Sequence, residues 1–157
     1  MKIAIVIHSQ SGHTAAFARV IASKFNENGH EADIKLLRPT KHVHPGIKEF
    51  ELRNAPEINE YDAVLFGGPV WAFTASPVII KYITELEKLK GKKVASFVTM
   101  GFPFPWLGGN NAIKVMNNKL DCTGADVIQG EIVSYTFRAN TAKMTQAAER
   151  LYSEIIG

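Results

Sequence analysis

Short apolar runs rich in β-branched residues alternate along the chain with longer stretches whose apolar positions repeat every three to four residues. Ile3 to Ile7 is a continuous apolar run, the pattern of a strand buried on both faces. Thr14 to Asn28 follows with Ala15, Ala18, Ile21, Ala22 and Phe25 at helical spacing, and Gly29 marks its stop. Ala32 to Leu37 alternates as a second strand, with Ile34 and Leu36 on one face, and Asp62 to Gly67 carries a third around Ala63-Val64-Leu65-Phe66. Pro77 opens a helix through Leu89 whose apolar stripe is Ile79, Ile80, Ile83, Leu86 and Leu89. Proline suits a first helical turn because its missing N–H would have no partner there anyway. Beyond Gly91, Lys93 to Thr99 is a fourth strand, Asn111 to Cys122 a shorter helix, Val127 to Val133 a fifth strand, and Thr141 to Ile156 a final amphipathic helix.

Continuous apolar strands separated by helices predict an α/β fold, with a five-stranded parallel sheet covered by helices on both faces. The connection over residues 38–60 is long for a structureless loop, and a short helix around Ile47 to Arg53 is expected there. No repeat, low-complexity tract or linker interrupts residues 1–157, so one domain is expected.

Composition narrows the function classes. An apolar fraction of 46% with 21% charged residues is that of an ordinary globular chain. Its 18 basic and 15 acidic residues give +3, without a block of five or six like charges, which argues against a nucleic-acid partner. No stretch approaches the roughly 18 apolar residues of a membrane span. The first apolar run ends at His8, short of an export core and without a cleavage site, and Cys122 is alone, so a cytoplasmic protein is expected.

The chemistry is concentrated in three segments, each following a predicted strand. The first is His8-Ser9-Gln10-Ser11-Gly12-His13-Thr14, which leads directly into a helix. Hydroxyls at Ser9, Ser11 and Thr14 supply donors, Gly12 lets the backbone turn and approach a ligand, and the helix N-terminus adds amides and partial positive charge. These are the parts of a cradle for a phosphate dianion held by neutral groups. It lacks the Gly-Lys-Ser/Thr of nucleotide P-loops, the three glycines of the dinucleotide fingerprint and the cysteine of a phosphatase loop. The competing reading is that Ser9 and Ser11 only cap the helix.

Ser9-Gln10-Ser11-Gly12-His13-Thr14 resembles the Ser/Thr-x-Ser/Thr-Gly-x-Thr phosphate loop of the flavodoxin-like flavoproteins. The resemblance implies a flavodoxin-like three-layer sandwich with strand order 2-1-3-4-5 and flavin mononucleotide (FMN) at the β1/β3 switch point, where flavodoxins themselves bind it. It also gives roles to the other two segments. In Gly67-Gly68-Pro69-Val70-Trp71-Ala72-Phe73-Thr74-Ala75-Ser76-Pro77, residues Pro69, Val70, Trp71, Ala72 and Phe73 are expected to line the isoalloxazine ring; the alternative is that Trp71 and Phe73 are core aromatics. In Thr99 to Asn110, the residues Thr99, Met100 and Gly101 inherit contact with the pyrimidine end through backbone amides, and Phe102 is a further cofactor-binding candidate. Phe102, Phe104 and Trp106 either form a second wall or present an apolar surface to a substrate or a second subunit, which makes a homodimer an open expectation.

Two departures separate the chain from one-electron flavodoxins. Those carriers are usually strongly acidic, whereas this chain is mildly basic. They also often place glycine after the aromatic of the second segment, where a peptide turns over to bond the reduced ring. Here Ala72 follows Trp71, and its Cβ disfavours left-handed backbone by about 1–2 kcal/mol. Gly12-His13 is more similar to flavodoxin-like NAD(P)H:quinone reductases. The expectation is therefore an FMN oxidoreductase using NAD(P)H and a small acceptor, ahead of a carrier between protein redox partners and of a flavin-free interaction module. His8 reads as a packed strand-end side chain, and His42 and His44 as solvated loop residues rather than metal ligands.

Overall fold

The computed structural model describes residues 1–136 and 141–157. Its elements are β1 (Lys2–Ile7), α1 (His13–Glu27), β2 (Glu31–Leu36), β3 (Ala63–Trp71), β4 (Thr74–Ala75), α2 (Pro77–Thr84), β5 (Lys93–Met100), α3 (Gly109–Asp121), β6 (Asp126–Val127), β7 (Glu131–Ser134) and α4 (Thr141–Ile156). The sheet runs β2-β1-β3-β5-β6, with β7 also pairing β5, so the fifth position is filled by two short strands. All of these pairs are parallel. This is the predicted 2-1-3-4-5 order.

Alternation along the central strands divides the core into two layers. Ala4, Val6, Val64, Phe66, Val94 and Val98 face α2, α3 and the long connection. Ile3, Ile5, Ile7, Leu65, Ala95 and Phe97 face α1 and α4. Because both faces are covered, β1 is apolar at every position from Ile3 to Ile7, and each is essentially inaccessible to water. The edge strand β2 is different: Ile34 and Leu36 share a face, as their spacing predicts, but that face is open to solvent.

Four sequence expectations need correction. The third strand does not stop at Gly67 but continues through Gly68 and Pro69, which pair in register with Val98 and Thr99, and then turns into β4. Helix α2 ends at Thr84 rather than Leu89, and the Leu89 amide donates instead to the Thr123 carbonyl. The fifth strand is interrupted at residues 128–130, where Gly130 lies so close to the Ser96 carbonyl that a Cβ would approach it to 2.7 Å. No helix forms over Ile47 to Arg53. Instead Pro39 and Leu52 form an antiparallel bridge, and Val43, Phe50 and Ile58 anchor the connection to the core. Among the described residues, no helix is long and apolar enough to cross a membrane.

Candidate functional site

The carboxyl ends of β1, β3 and β5 bring the three segments together. Gly12 caps α1 with φ 93°, a left-handed conformation that glycine adopts without strain, and no other atom lies within 4 Å of where its Cβ would be. The amides of the first helical turn have no intrahelical acceptors. Ser9 accepts the Ala15 amide at 3.1 Å, whereas Ser11 and Gln10 are exposed and their side chains bond no described residue. Ser9 thus does the local capping that the competing reading supposed, and Ser11 does not. Thr14 is buried, its hydroxyl sharing a 2.7 Å hydrogen bond with that of Thr99.

The second segment is a tight hairpin rather than an open loop. Pro69 is buried in the sheet, Val70 and Trp71 are half-buried, and Ala72 and Phe73 form the two-residue turn between paired Trp71 and Thr74. Both turn residues are left-handed, at φ 49° and 65°, despite their side chains. The Cβ at Ala72 therefore does not keep the backbone out of that region. A two-residue hairpin of this kind matches strand twist with positive φ at both positions, and the pairing holds them there. Gly108 packs behind the turn, where a Cβ would come within 2.7 Å of Phe73 Cα, and the Asn111 side-chain amide donates to the Phe73 carbonyl at 3.2 Å. Phe73 is 56% exposed, which removes it from the core.

In the third segment, Thr99 and Met100 remain buried in β5, and Gly101 and Phe102 open the exposed loop. The Thr136 hydroxyl donates to the Gly101 carbonyl, and that of Ser134 donates to the Phe102 carbonyl at 2.7 Å. In a trans peptide C=O and N–H point opposite ways, so the Phe102 N–H is turned away from Thr136. Phe102 lies parallel to Phe73, with centroids 5.8 Å apart, and Phe104 lies parallel to the exposed Trp106. Tyr135, which the sequence reading missed, stacks on His13 with centroids 3.6 Å apart. It too sits at the carboxyl end of a sheet strand, the rule that located the other segments.

His8 locks the first segment to the second. Its Nδ1 lies 2.6 Å from the Ser76 hydroxyl oxygen, and its ring meets Trp71 edge-on. Ser76 caps α2 by accepting the Val78 and Ile79 amides, so its proton is the one given to Nδ1, and the neutral imidazole carries its own on Nε2. Burial pulls the His8 pKa from 6.5 to about 4. Among the described residues, no group of three His, Cys, Asp or Glu side chains is placed to share a metal.

The fold has close counterparts among solved structures. Flavodoxin 2 from Bacillus cereus superposes with a TM-score of 0.75 over 98% of this chain and 99% of its own, at 21% identity. The chain has the flavodoxin-like fold. A flavoprotein from Lactobacillus acidophilus, solved in complex with FMN, has a TM-score of 0.65 over 83% of this chain and 92% of its own, also at 21% identity. In sequence, the chain is 26% identical over 129 residues to an NAD(P)H dehydrogenase (quinone) from Archaeoglobus fulgidus, a match covering 71% of this chain and 66% of that protein. No family model matches.

Proposed function

We propose that the protein is an FMN-dependent oxidoreductase that takes electrons from NAD(P)H and passes them to quinones or similar small acceptors. The observation that carries this reading is the convergence of an anion cradle, whose Ser11 and Gln10 donors bond no described residue, and an exposed aromatic pair, Phe73 and Phe102, at one end of the sheet. FMN has matching chemistry: a phosphate at one end and a flat ring at the other. The Lactobacillus acidophilus flavoprotein supports the cofactor, and the Archaeoglobus fulgidus relative supports the electron donor and acceptor.

In this reading, Ser9, Gln10, Ser11, Gly12, His13 and Thr14 hold the phosphate through hydroxyls, backbone amides and the N-terminus of α1. Pro69 to Phe73 line the ring, with Trp71 buttressed by His8. Thr99 to Phe102 border its pyrimidine edge, where the loop carbonyls are restrained by Ser134 and Thr136. Bound FMN supplies the redox chemistry, and the residues around it supply position and exclude water.

The cradle is tested by comparing FMN with riboflavin, which lacks the phosphate. Ser11→Ala is the informative variant because its hydroxyl bonds no described residue and its loss leaves the fold intact, whereas Thr14 is tied to Thr99. FMN affinity should fall by about ten-fold or more, the scale of one hydrogen bond to a charged group, with riboflavin affinity unchanged. Equal losses for both ligands would refute the assignment.

A flavodoxin-type carrier between protein partners is the second reading, favoured by the extent of the superposition on Flavodoxin 2. Stopped-flow mixing of the FMN-loaded protein with NADPH or NADH separates the two. Rapid bleaching of the flavin is expected for the reductase, and no reduction without a partner reductase would support the carrier.

A further inference from the structure

A cleft of about 350 Å³ opens beside Ser9 and Gln10, between the phosphate cradle and the long connection after β2. Arg38, Lys41, His42 and Arg53 line it, and no carboxylate does. Leu36, 37% exposed, together with buried Leu37 and Val43 supplies its apolar side. The cleft shares Ser9 and Gln10 with the cradle, but its basic residues lie outside the cradle, whose own donors are neutral.

The cleft is held by backbone pairing. The Arg53 amide donates to the Arg38 carbonyl at 2.6 Å, next to the bridge between Pro39 and Leu52. Asn54 adds two bonds, accepting the Arg38 amide and donating to the Leu36 carbonyl, both at 2.8 Å. Two arginines distant in sequence thus become neighbours, although like charges across an antiparallel pair repel. Arg38, Lys41 and Arg53 form no ion pair among the described residues. Glu51 lies between them in sequence but is 3.8 Å from Lys81 on α2 and does not line the cleft. An anion between the guanidinium groups would relieve their repulsion, and a phosphate accepts the forked donors of arginine in pairs.

The size and make-up of the cleft suit one nucleotide: an apolar side for a purine and a basic rim for a phosphate monoester. We propose that it receives the adenosine 2′-phosphate of NADP(H), so that the protein uses NADPH in preference to NADH. This rests on the oxidoreductase reading above and names which nicotinamide nucleotide it takes.

The FMN-loaded protein and its Arg38→Ala/Arg53→Ala variant are titrated calorimetrically with 2′,5′-ADP and, separately, with 5′-ADP. Both side chains are exposed, and unchanged circular dichroism verifies the fold of the variant. The wild type should bind 2′,5′-ADP at least about ten-fold more tightly than 5′-ADP, and the variant should lose that preference while holding FMN as well as before. Equal binding of the two nucleotides, no binding of 2′,5′-ADP, or unchanged binding by the variant would each overturn the proposal. Weakened FMN binding in the variant would do so as well, by showing that the arginines serve the flavin phosphate. If 2′,5′-ADP binds as stated but NADPH does not bleach the flavin, the cleft stands and the reductase reading falls. If NADPH bleaches the flavin equally fast in both proteins, the reductase stands and the cleft assignment falls.

Discussion

Gly67→Ala is expected to destabilise the protein by about 3 kcal/mol or more, the upper end of the overpacking range. Gly67 lies mid-strand in β3, paired with Ile7 on one side and Phe97 on the other. A Cβ there would sit 2.2 Å from two ring carbons of Phe97. That ring is fully buried and held edge-on by Phe17 of α1 at a centroid distance of 5.2 Å. It cannot retreat without displacing the helix. The neighbouring Gly68→Ala is the control, because its Cβ would face Ile79 Cγ2 at 3.1 Å, a contact relieved by a small shift. Urea denaturation of both variants tests the argument: Gly67→Ala should lose far more than Gly68→Ala, and equal losses would show that Phe97 is not the obstacle.

Acidification should produce a loss of similar size through His8. The folded protein holds this imidazole neutral down to about pH 4, whereas the unfolded chain protonates it near the ordinary 6.5. Between those values the unfolded state binds the extra proton, so stability falls as the pH is lowered through that window. The stabilisation is fully present above 6.5, and the loss is complete below about pH 4. It amounts to about 3 kcal/mol, by the conversion of 1.36 kcal/mol per pKa unit. His8→Gln removes the titration. Between pH 7 and 4 the wild type should lose about 3 kcal/mol more than this variant, and parallel declines would disprove the role.

The strands at the centre of the sheet were legible because burial on both faces leaves an unbroken apolar run, as in Ile3 to Ile7. Helix α4 was read to its residue limits, since its stripe is regular and nothing competes with it. Failures came where long-range pairing overrode local signals. Gly67-Gly68-Pro69 reads as a turn, yet adjacent β5 supplies partners that keep it extended. Leu86 and Leu89 continue the helical stripe of α2, but the Leu89 amide is claimed by Thr123, distant in sequence. The three segments that meet at one end of the sheet stood out because glycines, hydroxyls and aromatics cluster after strand ends. Tyr135 was missed because no glycine or proline announces it, and the Arg38–Arg53 pairing because a bridge between distant segments leaves no periodic trace.

The interior place of β1, between β2 and β3, has a kinetic consequence. Its first neighbour, β2, follows after one helix, and this β-α-β unit can form from nearby residues. Its other edge is completed only by Ala63 to Gly67, on the far side of the long connection. Until that loop closes, a strand with no polar side chain from Ile3 to Ile7 presents a bare row of amides and carbonyls. A strand fully shielded in the finished molecule is therefore open to self-association during folding, for as long as residues 38–60 take to close.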